Sequence, residues 1–72
     1  MSNTHILSEE VVYSVFHALS NLMANDNPTI SREAQRLRTL IDQSSRRNGG
    51  PAVVSEGVYQ SLVILIGKER LS

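Results

Sequence analysis

The chain has 72 residues, 40% of them hydrophobic, with seven basic and seven acidic side chains and no cysteine. That is one domain at most, with no disulfide and no thiolate-based zinc site. The longest apolar run is Leu62 to Ile66, far short of the roughly 18–20 residues that cross a bilayer.

The first ten residues are mostly polar and show no basic region before an apolar stretch, so residues 1–7 read as a flexible tail, without the pattern of a secretory leader. Residues 8–72 read as the single domain. Its first periodic segment is "SEEVVYSVFHALSNLMA". Val11, Val15, Ala18 and Leu22 repeat at helical spacing, and Val12, Phe16, Leu19 and Met23 repeat one residue on. Two adjacent rows make one wide apolar stripe. Ser8 is the expected N-cap, and Glu9 and Glu10 complement the helix dipole. "NDNP" is the expected stop, with Asn25 in the left-handed conformation and Pro28 barring continuation.

A second helix is predicted over "PTISREAQRLRTLIDQSSRR", capped by Thr29 or Ser31, with Ile30, Ala34, Leu37, Leu40 and Ile41 as its stripe. "NGGP" at Asn48 to Pro51 ends it and reads as a mobile linker. It lacks the preceding strand and the following Lys-Ser/Thr of a phosphate loop. The third segment, "SEGVYQSLVILIGKE", reads as a helix capped by Ser55 and ended near Gly67. Val58, Tyr59, Leu62, Leu65 and Ile66 share a face, and Ile64 falls nearly opposite at about 100° per residue. A helix apolar on more than one side needs more cover than two other helices provide.

The expected fold is therefore all-α, a three-helix domain. A core this small rarely supplies more than about 3–5 kcal/mol, so a staple is expected, and self-association is the usual one left. A homodimer with the third helix at or near the interface follows, with Tyr59, Val63 and Ile64 as its residues.

Net charge is zero but unevenly spread. Glu9, Glu10 and Asp26 give residues 1–31 a charge of −3, while Arg32, Arg36, Arg38, Arg46 and Arg47 against Glu33 and Asp42 give residues 32–47 a charge of +3. Arg32, Arg36 and Arg46 project from the polar side of the second helix, with Arg47 near them. They are the candidate partner-binding face, with Tyr13, off the stripe of the first helix, as a candidate anchor. An acidic protein partner fits this face better than nucleic acid, which usually needs a larger basic excess. The inter-helix connections also do not fit a helix-turn-helix.

No catalytic constellation emerges. His5 and His17 are too few to hold a metal, and Ser14, Ser20 and Ser61 have no placed base. The adjacent Glu9 and Glu10 point to different sides of a helix, so they read as cap residues. The expectation is a non-enzymatic cytoplasmic protein without cofactors.

The stretch "ALSNLMANDNPTISREAQRLRTLID", followed by "VYQSLVILIG", resembles the AriR/YmgB family of small enterobacterial regulators. The likeness spans roughly Val11 to Gly67 and rests on helix patterning. The turn carries Asn25 where that family often has glycine, and the "SRRNGGP" connection is longer. The resemblance implies an all-helical, homodimeric connector of phosphorelay signalling and biofilm control, with a response regulator as the protein partner. Two other functions compete with it: a DNA-binding transcriptional regulator using the basic second helix, and a phage or plasmid inhibitor of a host complex.

Overall fold

The computed structural model describes residues 3–71. Its elements run β1 (Thr4–Leu7), α1 (Glu9–Met23), α2 (Pro28–Asn48), β2 (Ala52–Ser55), α3 (Glu56–Ile66) and a closing 3-10 turn, Lys68–Leu71. The three predicted helices are present, so the domain is mostly helical, but it is not purely so. β1 and β2 form a two-stranded antiparallel sheet that pairs Thr4 with Ser55, His5 with Val54, Ile6 with Val53, and Leu7 with Ala52.

Ser8 caps α1 as expected, its hydroxyl accepting from the Val11 amide at 3.3 Å. The turn after α1 works differently from the expectation. No described non-glycine residue has a positive φ, so Asn25 is not left-handed. Its side-chain oxygen instead accepts from the Asn27 amide at 2.8 Å, a local turn that asparagine favours. Asn27, rather than Thr29 or Ser31, then caps α2 by accepting from the Thr29 amide at 2.9 Å. Pro28 occupies the first turn of α2, where its missing N–H costs nothing.

α2 ends at Gly49, whose φ of 73° is the left-handed conformation that glycine adopts without a Cβ penalty. The expected mobile linker is tied back. The Gly50 amide donates to the Ser45 carbonyl at 2.9 Å, and the Ser45 hydroxyl donates to the Gly50 carbonyl at 2.6 Å. Gly50 also lies against α1, where a Cβ would sit 2.5 Å from a Glu9 carboxylate oxygen.

Two short alternations make the sheet. In β2, Ala52 and Val54 are buried while Val53 and Ser55 face out. In β1, Leu7 is buried and Ile6 is exposed. Residues 4–7 are thus a strand where a tail was expected, and residues 1 and 2 of that tail lie outside the described residues. The physical reason is pairing. Neither strand buries enough alone, but together they place Leu7, Ala52 and Val54 on one core with Val12, Val15, Leu19, Leu37, Ile41 and Leu62.

α3 begins at Ser55, whose hydroxyl accepts from the Val58 amide at 3.2 Å. Only Leu62 on this helix is fully buried. Val58, Tyr59, Val63, Leu65 and Ile66 pack partly against the core, and Ile64 is 82% exposed. Leu71 in the closing turn is also buried, which seals the space between α1 and α3 that the turn packs against.

Candidate partner-binding surface

On α2, Arg32, Arg36, Leu40, Gln43 and Arg47 fall within one quadrant at about 100° per residue, flanking the face that buries Ala34, Leu37 and Ile41. Leu40 was expected in the core stripe. It lies at the flank instead, 37% exposed, and Val53 of β2 is 42% exposed. Leu40, Ser44 and Arg47 meet Val53 and Val58 around a hollow of about 220 Å³. A shallow trough runs on from Leu40 and Gln43 along α2 to Arg36 and Arg32. The result is an apolar hollow at Leu40, Val53 and Val58 that continues into a polar trough carrying Arg36 and Arg32.

The arginines are not equivalent. Arg36 is bound by Glu33, its Nε donating to one carboxylate oxygen at 3.2 Å. That bond is the main cause that holds the Glu33 carboxyl below its ordinary pKa. Arg46 donates to both oxygens of Asp42 at 3.1 Å. It stands beside the groove and does not line it. Arg38 lies over the Phe16 ring, 5.5 Å from its centre, so it helps cover the α1–α2 contact. No ion pair ties Arg32 or Arg47 among the described residues. The structure therefore brings together Arg32, Arg36 and Arg47 of the predicted set and leaves Arg46 to one side.

Ser44 guards the edge of β2. The Val53 amide donates to its hydroxyl at 2.7 Å, and the hydroxyl donates to the Val53 carbonyl at 3.0 Å. One side chain thus satisfies both backbone groups of Val53 on that edge. Ser44, Val53 and Val58 were absent from the sequence-based candidate set. The one available signal was the short β-branched pair in "PAVVS", which is too short to separate a strand from a connector.

A second cluster sits at the start of α3. The His5 and Tyr59 rings are stacked, with centroids 3.8 Å apart. His5 Nε2 contacts the Glu56 carboxylate, whose other oxygen accepts from the Gln60 amide at 2.9 Å. The Gln60 bond first, and the His5 contact second, lower the Glu56 pKa. Tyr59 and Val63, expected at a dimer interface, are half-buried, each packed in part against the core. Tyr13 is exposed on α1 and is not part of the α2 groove. His17 is exposed, and no group of three potential metal ligands occurs among the described residues.

Fold and surface together define a small, mostly helical domain with a two-stranded sheet and a basic groove. No helix among the described residues is long and apolar enough to cross a membrane. No family model, curated protein or solved structure matches the chain.

Proposed function

We propose that this protein acts by binding another protein, without catalysis of its own, and that the groove along α2 is the contact surface. One observation carries this reading. Arg32, Arg36 and Arg47 bracket the exposed Leu40 and Val53, and two of these arginines have no acidic partner among the described residues. Exposed apolar side chains ringed by arginine match the composition of protein interfaces. The regulatory role implied by the AriR/YmgB resemblance, with a response regulator as partner, belongs to the same proposal.

The test is affinity capture with tagged wild type and with the R32Q/R36Q/R47Q variant. A protein recovered by the first and lost by the second, at unchanged melting temperature, is the expected result. Recovery of the same protein by both removes this face from the binding function.

Self-association through α3 is the second reading, favoured by the 82% exposure of Ile64. Burying that side chain is worth about 1.5–3 kcal/mol, and a two-fold interface uses it twice. Light scattering across a concentration series tests it. The expected outcome is a dimer for wild type and a monomer for Ile64→Asp. A wild type that is monomeric at every concentration removes this reading.

A further inference from the structure

We infer that the α2 groove takes an acidic amphipathic helix of the partner, an inference that rests on the protein-binding reading above. Three features of the groove select this occupant.

The first is charge. Arg32 and Arg47 have no carboxylate partner among the described residues, and Arg36 has one, Glu33. A partner supplying carboxylates along the groove completes charge-assisted bonds that the chain leaves open. The second is the guarded edge. Val53 offers neither its amide nor its carbonyl, because Ser44 holds both. An extended partner meets the middle of this edge already bonded, so it loses main-chain bonds that give strand addition its affinity. The occupant binds by side chains alone, which suits a helix.

The third is dimension. Arg32 and Arg47 lie 15 positions apart on one helix, about 22 Å at 1.5 Å per residue. A helix of about four turns laid along the trough reaches both. Beyond Leu40 and Gln43 lies the trough of about 460 Å³, whereas the hollow beside Leu40, Val53 and Val58 is about 220 Å³. It suits one apolar anchor side chain, with further anchors at helical spacing over Leu40.

The experiment uses designed peptides of about four turns, titrated against the labelled protein with amide chemical shifts as the readout. One carries a leucine stripe flanked by glutamates. The second has the same residues with two interior prolines that prevent helix formation. The third replaces glutamate by lysine. A short DNA duplex is the fourth ligand.

The expected result is that the first peptide binds tightest and shifts Leu40, Gln43, Ser44 and Val53. Its affinity should fall roughly tenfold in the R32Q/R36Q/R47Q protein, the sum of three modest ion pairs. Circular dichroism confirms that the variant is folded. If the proline peptide binds those residues as tightly, the helix inference falls and the protein-binding reading stands. If the lysine peptide binds equally, the charge argument falls and the inference with it. If neither glutamate peptide shifts those residues, the inference falls and the capture experiment above decides the protein-binding reading; if the duplex binds there more tightly, both fall.

Discussion

Of the 21 residues of α2, only Ala34, Leu37 and Ile41 are buried, yet they anchor the middle of the core. Of the 11 residues of α3, which is far more apolar, Leu62 alone is buried. The two helices differ in what surrounds them. α2 packs against both α1 and β2, while α3 makes slighter contacts with each of its neighbours. Position in the layer order, and not apolar content, decides how much of a helix goes inside. The polar remainder of α2 is then free to present arginines, and the apolar remainder of α3 is left half covered.

The sharpest way to break this comparison is truncation. Leu37→Ala and Leu62→Ala should each cost about 2–5 kcal/mol by loss of packing and an unfilled cavity. In a domain of this size that is most of the stability. Leu65→Ala, on the half-covered part of α3, should cost less than about 2 kcal/mol in denaturant unfolding. A cost for Leu65→Ala equal to that for Leu62→Ala would show that apolar content governs after all.

Next comes Ser44→Ala. It strips the Val53 amide and carbonyl of their partner, which should cost about 1–2 kcal/mol and speed amide exchange at Val53. Unchanged exchange there would mean that the edge is held by something other than the hydroxyl.

Surface changes should be smaller still. In dilute solution Ile64→Asp should alter stability by no more than about 0.5 kcal/mol, since the side chain touches little within the chain. R32Q/R36Q/R47Q should do likewise, because only the exposed Arg36–Glu33 pair is lost.

The smallest effect is in pH. The folded Glu56 pKa lies below its ordinary value of about 4.5. Its contribution to stability is therefore present above that value and fades as pH falls through the lower folded value. Gln60→Leu removes the leading cause and should flatten the acid side of the stability profile. An unchanged profile would show that this bond carries no linkage.

Most of the helical framework was legible in the sequence. Ser8, Ser55 and Gly49 mark helix ends through local chemistry, which a sequence displays directly. The sheet was not legible, because "THIL" and "AVVS" are four residues each and gain their pairing only from each other across the chain. Leu40 was misplaced for a related reason. Its spacing fits the stripe of α2, but β2 meets that flank of the helix at Ser44 and leaves Leu40 at the rim of the hollow between them. The groove follows from that arrival, so the arginines could be found from periodicity while Ser44, Val53 and Val58 could not. Arg46 shows the same limit, since Arg38 and Arg46 are both four residues from Asp42, and only the fold decides that Asp42 binds Arg46 while Arg38 covers Phe16.

The contact between His5 and Glu56 joins residues 51 positions apart, and this has a consequence in time. During synthesis at about 5–20 residues per second, β1 emerges and then waits roughly 2–10 seconds for β2. The helical pair α1–α2 needs no such delay, because its contacts are near in sequence and close quickly. In refolding, far-ultraviolet ellipticity should therefore rise before the Tyr59 emission changes, since the His5 stack forms only when the strands meet. The chain has no tryptophan, so with Tyr13→Phe that emission reports the closing of the sheet alone.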